Sequence, residues 1–265
     1  MNTWDYEVST FLTNWKEDLM KYSIPTLVFT LTEKERDDFS SLIFSEGNSQ
    51  VEQERFAYFV NKIAPAFHVF PEGIFLRNDK RSPKDSDAFL NGKLRPARTA
   101  QEAISFCLLS ERTWVDFRDA KEHGHLPILV ARKWMDFKPE REFRCFIKNG
   151  RLFAITQYDY QNHYEWVTNH VDSIKARIIS FIEEIKSLLP CDTLVVDVHI
   201  NDQGITIIET NPYGLSDPCL FEDYEQLETL YQDEPDSIRF LYRLPLKVET
   251  NPDFDKDDLF SLLDS

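Results

Sequence analysis

Glycine is scarce in this chain, with seven residues among 265. That scarcity excludes collagen-like, low-complexity and Gly-rich linker architectures. Basic residues are outnumbered: 30 Lys and Arg face 46 Asp and Glu, for a formal net charge of −16. A duplex-DNA binder is therefore not expected, since no phosphate-neutralising excess exists, whereas a basic partner surface is compatible. The four cysteines, Cys107, Cys145, Cys191 and Cys219, lie far apart and form no CxxC. A zinc ribbon or thioredoxin-type motif is thus unsupported, and reduced thiols in a cytoplasmic protein are expected. No apolar run approaches the roughly 18 residues that span a bilayer. The opening MNTWDYEVST lacks a charged region followed by an apolar core, so no secretion signal is expected. Neither GxxxxGK[ST] nor GxGxxG occurs, nor HExxH, nor GxSxG.

What the chain has is aromatic and apolar content: 14% aromatic and 42% hydrophobic residues, enough to bury a sizeable core. Val8, Phe11, Leu12, Trp15, Leu19 and Tyr22 repeat at helical spacing and predict one amphipathic helix ended by Pro25. TLVFTL, from Thr26, predicts a short buried strand, and Glu33 to Phe39 a polar helix. Phe56, Phe59, Val60 and Ile63 mark a helix stopped by Pro65, and Ile74 to Leu76 a strand. A long polar loop follows from Arg77 to about Arg98. Thr99 with Glu102 forms a capping-box signature ahead of the next helix. Strands are expected over 127–134, 142–147 and 152–157, the last two joined by Asn149-Gly150 in a type I′ turn. A helix over 171–189 precedes a second hairpin, 193–200 with 205–210. The pattern is α+β, without the strict βαβ alternation of a doubly wound sheet.

Strand periodicity puts Asp197 in the middle of LVVDVHI, with Val195 and His199 on its face. On the returning strand Ile205, Ile207, Glu209 and Asn211 are expected on one face, so Asp197 and Glu209 can converge. Two carboxylates and an amide oxygen are the donors that hard Mg²⁺ selects. The same residues also read as a strand-edge acid followed by an Asn-Pro turn. Arg132-Lys133-Trp134 ends one strand, and Glu142 and Arg144 share a face of the next. Such cations beside a carboxylate pair suit a polyphosphate, or form a surface ion-pair lattice. RNDKRSPKDS, from Arg77, is a cationic turn-rich loop that covers phosphates or is simply solvated.

Together these stretches resemble the cell division cycle protein 123 family, a divergent branch of the ATP-grasp superfamily. The resemblance rests on FLTNWKEDLMKYSIPTLVFTL from Phe11, FLRNDKRSPKDS from Phe75, LVARKW from Leu129 and EFRCFIKNGRLFAITQYDY from Glu142. It is completed by DTLVVDVHINDQGITIIETNPYG from Asp192, and spans most of residues 11–230. It implies an ATP-grasp-like α+β fold, two lobes with antiparallel sheets and flanking helices around a nucleotide cleft. By matching position, Arg77 stands where the family usually has a Lys facing phosphates, and Ser82, Lys84 and Asp85 match its phosphate-side loop. Arg132, Lys133, Trp134 and Met135 match the strand and hinge passing the adenine, Arg144 a phosphate-contacting Arg, and Asp197, Glu209 and Asn211 the metal ligands. Glu209 replaces the family's usual Asp, and Tyr158 replaces an Arg. The long acidic insertion of larger members is missing.

The resemblance implies ATP and Mg²⁺ as cofactors. It also implies the gamma subunit of eukaryotic translation initiation factor 2 as partner, the chain's own or a host's, with the chain promoting assembly of that factor. A cytoplasmic monomer with no direct nucleic-acid or membrane contact is expected. The alternative is an ATP-grasp carboxylate–amine ligase; whether ATP is turned over is left open. The expected organisation is an N-terminal lobe over 1–130, a C-terminal lobe over 131–252 and an acidic tail over 253–265. The tail's Phe254, Leu259, Phe260, Leu262 and Leu263 suit partner docking or packing on the body.

Overall fold

The structure, a computed structural model, describes residues 3–86 and 95–245. The acidic segment 253–265 lies outside the described residues. Two sheets organise the chain. The small one has three antiparallel strands, β1 (Thr26–Thr30), β2 (Ile74–Asn78) and β3 (Ile128–Lys133), in the order β1-β3-β2. The large one has β4 (Glu142–Lys148), β5 (Arg151–Gln157), β6 (Leu194–Ile200), β7 (Ile205–Asn211) and β8 (Arg239–Leu241), in the order β7-β6-β4-β5-β8. Its pairings are antiparallel except β5 with β8, a parallel edge the sequence reading did not anticipate. The β4–β5 turn is Asn149-Gly150 with φ of 50° and 71°, both positive as a type I′ turn demands.

Strand β3 explains how the sheets are joined. Its sequence ILVAR is apolar without alternation because both faces are covered. Leu129 and Ala131 pack into the helical layer of the small sheet, while Ile128 and Val130 pack into the core of the large one. The expected lobe boundary at 130/131 therefore falls inside β3, and the chain leaves the small sheet only after Lys133. The helical layer comprises α3 (Glu33–Leu42), α4 (Gln50–Ile63), α6 (Ala100–Leu108) and α7 (Glu111–Glu122); α5 (Pro65–Val69) follows α4 directly. The large sheet is covered on one face by α8 (Glu165–Ile185), whose Ile174, Ile178, Phe181, Ile182 and Ile185 form the expected apolar face, and α9 (Tyr224–Asp233) packs on the other face against Phe146, Phe153 and Val195.

Three expectations are corrected. The N-terminal segment is not one helix but α1 (Thr3–Ser9), a 3₁₀ turn (Leu12–Asn14) and α2 (Glu17–Met20). Side chains there compete for the carbonyls a helix would use: Ser9 Oγ donates to Tyr6 O, Thr10 Oγ1 to Glu7 O, and Asn14 Nδ2 to Val8 O. Leu12, Trp15 and Leu19 are nonetheless buried, against the large sheet. Helix α7 was not anticipated, because its inward face mixes Thr113 and Asp116 with Phe117 and Ala120, which blurs the apolar period. The strict alternation expected for β7 is broken by a β-bulge: Asp197 pairs with Glu209 but Val198 with Ile207, leaving Ile208 as the extra residue. Ile207 thus faces the core, and Glu209 and Asn211 face the opposite side with Asp197.

Phe39 anchors the helical layer. It is fully buried, with ring centroids 4.9 Å from both Phe59 and Phe117. Phe39→Ala is expected to cost roughly 3–5 kcal/mol in urea unfolding; a loss under about 1 kcal/mol would show that the layer repacks freely.

Candidate functional site

The bulge places three side chains on one face of the large sheet. Arg144 on β4 pairs in register with Asp197 on β6, which pairs with Glu209 on β7. Arg144 grips Asp197 in a two-pronged bond, Nε to Oδ1 and Nη2 to Oδ2, each 2.8 Å. Both are buried, at 4% and 2% exposure, so the pair is held out of water. Asn211 Nδ2 donates to Asp197 Oδ2 at 3.0 Å, which turns the amide oxygen away from that carboxylate. Arg144 Nη1 donates further to Asp217 O at 2.5 Å.

Two arginines reach over from the small sheet. Arg77, on β2, donates from Nη1 to Glu209 Oε2 at 2.7 Å and from its other nitrogens to Asn78 O and Lys80 O. Arg132, on the face of β3 turned toward the large sheet, donates to the bulge carbonyl of Ile208 and, at 2.6 Å, to Ser23 Oγ. Its Nε is buried without a partner among the described residues.

A cleft opens between the sheets. Its lining combines apolar side chains, Ile24, Phe75, Trp134, Met135, Phe137 and Ile208, with charged ones, Arg77, Arg132, Lys84 and Glu209. Ser82, Lys133 and Glu142 also line it. A second, polar cavity shares Ser82 and Glu209 with it and carries Arg144, Asn211 and Tyr158. Lys84 Nζ lies 5.4 Å from the Tyr158 ring centre, and the Arg144 guanidinium 5.0 Å, so this phenol lies close to two cations.

The electrostatics follow from burial and proximity. Burial alone would lift the Glu209 carboxyl, but Arg77 and Lys84 outweigh it and hold the group well below the carboxylate range. Asp197 goes the other way: burial and the neighbouring Glu209 raise it against the pull of Arg144. Two facing acids thus split their proton affinities. Burial would lower the Lys84 ammonium, yet Tyr158, Glu209, Glu142 and Asp197 together raise it. Lys84 pulls the Tyr158 phenol down, but burial and the two carboxylates leave it above its ordinary value. Burial, then the charge of Arg77, brings Arg132 down to about 9. Glu142 is raised to about 7, by burial first and by Asp197 and Glu209 against Lys84.

Of the residues singled out from sequence, Arg77, Ser82, Lys84, Arg132, Lys133, Trp134, Met135 and Glu209 line the cleft, and Arg144 and Asn211 the adjoining cavity. Asp197 lies beneath them, bonded to Arg144 and Asn211. Asp85 is elsewhere: its carboxylate accepts Ser110 Oγ at 2.6 Å and Arg112 N at 2.9 Å, pinning the loop to the start of α7. It contributes no wall to the cleft. Lys133 leaves β3 on the face opposite Arg132, and its nearest acid is Glu72 at 3.8 Å. Glu142, Phe75, Phe137 and Ile208 were not singled out as site residues. Glu142 was noted only for sharing a face with Arg144; Ile208 enters through the bulge, which no spacing announces.

No group of three or more His, Cys, Asp or Glu side chains arranged to hold a metal ion exists among the described residues. The donors that Asp197, Glu209 and Asn211 could offer are two carboxylates and, with the Asn211 amide turned over, one amide oxygen. That suits a hard cation that completes its shell with water and phosphate oxygens, and falls short of an all-protein Ca²⁺ cage.

Two measurements check this account. Arg144→Ala leaves Asp197 buried and unpaired, and is expected to cost roughly 3–5 kcal/mol, whereas the joint Arg144→Met, Asp197→Leu change should recover most of it. Unfolding free energies of the wild type and both variants decide; equal losses in the single and joint variants would contradict the pairing. For Glu142, the folded value near 7 lies above its ordinary 4.5, so the native state holds the proton longer. Its contribution is full below about pH 4.5 and declines as pH rises toward 7. Glu142→Gln should match the wild type near pH 4 and exceed it by about 2 kcal/mol at pH 8. A pH-independent difference in urea unfolding would refute the assignment.

Comparison with known proteins places this geometry. A family model described as D123 matches residues 29–257. A protein of Xenopus tropicalis described as "Translation initiation factor eIF2 assembly protein" is 28% identical over 214 residues, covering 74% of this chain and 64% of that protein. One of Emericella nidulans with the same description is 37% identical over 134 residues, covering 47% of this chain and 33% of that protein. The chain thus spans about a third to two-thirds of the length of these curated relatives. The solved structure of Cdc123 from Schizosaccharomyces pombe superposes with a TM-score of 0.76 over 92% of this chain and 99% of that one, at 20% identity, so the α+β fold is shared. With more than half of its length inside the family model, the chain belongs to the D123 family.

Proposed function

We propose that this chain binds Mg-ATP in the cleft between its two sheets and serves as an assembly factor for eukaryotic translation initiation factor 2, acting on the gamma subunit as a cytoplasmic monomer. The observation that carries the nucleotide reading is the in-register acid pair, Asp197 and Glu209, held by Arg144 and Arg77 beside a cleft whose lining is both apolar and charged. Phe75, Trp134, Met135, Phe137 and Ile208 offer a planar base apolar surface. Arg77, Lys84, Arg132, Lys133 and Arg144 supply the positive charge a triphosphate requires. Asp197, Glu209 and Asn211 would hold Mg²⁺, which offsets phosphate charge when bound. In the bound state Arg77 and Arg144, which here neutralise the two acids, are placed to face phosphate oxygens. Asp85 acts by pinning the phosphate-side loop to α7.

The assembly role is supported by the descriptions of the two relatives reported above and by membership of their family. The charge of −16 favours a basic partner surface. A second reading, a carboxylate–amine ligase, draws on the polar cavity beside the cleft, where Lys80, Arg81, Arg112 and Asp217 leave room for another ligand. No helix among the described residues is long and apolar enough to cross a membrane.

Calorimetry tests the nucleotide reading. Wild-type protein should bind ATP more tightly with Mg²⁺ than with EDTA. Asn211→Ala should lose about tenfold of that Mg-dependent gain, with little change in melting, since its one side-chain bond is to Asp197. Asp197→Ala is the poorer test because it strands the buried Arg144. Equal affinity with and without Mg²⁺ would refute the metal assignment. Pull-down of the purified gamma subunit, with and without nucleotide, tests the partner; phosphate release that rises with an amine acceptor would favour the ligase.

A further inference from the structure

Helix α3 ends in an unusual way. Its cap is Ile43, and the next residue, Phe44, adopts φ of 58°. Helices commonly place glycine at that position, because a side chain there meets the backbone. A bulky aromatic in the left-handed region is an outlier that calls for a reason. Packing in the protein does not supply one: Phe44 is 56% exposed. Its backbone N–H donates to Leu108 O at 3.2 Å, which fixes it against the C-terminus of α6. The cap of α6, Leu109, is itself 49% exposed. The chain therefore presents two large apolar side chains where two helices end.

Between them runs an apolar groove lined by Leu42, Phe44, Phe56, Leu108 and Leu109. Its charged wall residues are Glu46 and Glu52, and no Lys or Arg lines it. The last turns of α3 and α6 contain no basic residue either. Helix C-termini carry partial negative charge and are stabilised by cations, which proteins commonly supply from the last turn. Here the two ends lie together without a cation of their own, beside two carboxylates, around exposed apolar surface; Arg55 of α4 reaches Ser41 Oγ in the last turn of α3 but does not line the groove. The groove is separate from the nucleotide cleft and shares no lining residue with it.

We infer that this groove docks a cationic amphipathic segment of a partner protein. The segment's apolar side chains would cover Phe44 and Leu109, and its Lys or Arg side chains would lie over the ends of α3 and α6 and the two acids. Phe44 in place of glycine then exchanges a little stability for binding surface. The inference stands independently of the nucleotide reading, since no residue it uses lies in that site.

The test uses the full chain and three designed helical peptides in fluorescence anisotropy. One has Leu on one face and Lys on the other; one replaces Lys by Glu; one replaces Leu by Ser. The Leu/Lys peptide should bind, and the other two should bind at least about tenfold more weakly. Phe44→Gly should melt at the same temperature or higher, because glycine accepts this φ without strain, yet lose about tenfold in Leu/Lys affinity. Leu109→Ser should weaken the same peptide, and ATP titration of both variants should be unchanged. Equal binding of the Ser/Lys peptide would reduce the effect to general attraction by a chain of charge −16 and overturn the inference. So would unchanged Leu/Lys affinity in both variants, a sharp fall in the melting temperature of Phe44→Gly, or self-association in sedimentation that Phe44→Gly abolishes, which would assign the groove to a second copy.

Discussion

Everything at the cleft depends on a buried row of four charges, two acids held between two arginines. Arg144 and Arg77 flank the adjacent acids Asp197 and Glu209, and the last step crosses from the large sheet to the small one. Removing any one member strands its neighbour in a low-dielectric setting, where an unpaired charge is costly. The row therefore fixes how the two sheets face each other as well as what the cleft can hold. Arg132 adds a second crossing, through the Ile208 carbonyl and Ser23. The crossings converge on the β7 bulge, so the irregularity in that strand is the point where sheet geometry and site chemistry meet.

The same row sets what the protein can exchange. Each acid already has a cation, and each of those cations borders a cavity. A ligand that brings both negative groups and a metal can satisfy all four residues without leaving any uncompensated. A ligand bringing only one of the two cannot. This argument from charge balance links metal and nucleotide more tightly than proximity alone would.

How much of this was legible in the sequence differs by element. Hairpins were legible because Asn149-Gly150 and NDQG carry turn chemistry that few alternatives satisfy. Asp197 stood out as a mid-strand acid among valines, and Glu209 through the ETNP that follows it. The bulge was not legible: an extra residue in a strand leaves composition and local propensity unchanged, and only pairing reveals it. The break in the N-terminal helix was hidden for another reason. The apolar spacing is right for one helix, and it is the side-chain bonds of Ser9, Thr10 and Asn14 that divert the backbone. Asp85 shows the limit of carrying a motif by position, since its carboxylate holds a helix start and not a cleft wall.

Thr210 sits between Glu209 and Asn211 but faces the other way. It accepts from Trp15 Nε1 at 2.8 Å and donates to Thr10 O at 2.5 Å, contacts that span 195 and 200 residues of chain. During synthesis Thr10 and Trp15 thus wait for β7 before their buried polar groups are satisfied. Contacts of such sequence separation close slowly, because loop entropy is lost before any gain is made. The nascent chain consequently carries Trp15 without its partner Thr210 until β7 is made, and the acid pair acquires its backing only once β7 has left the ribosome.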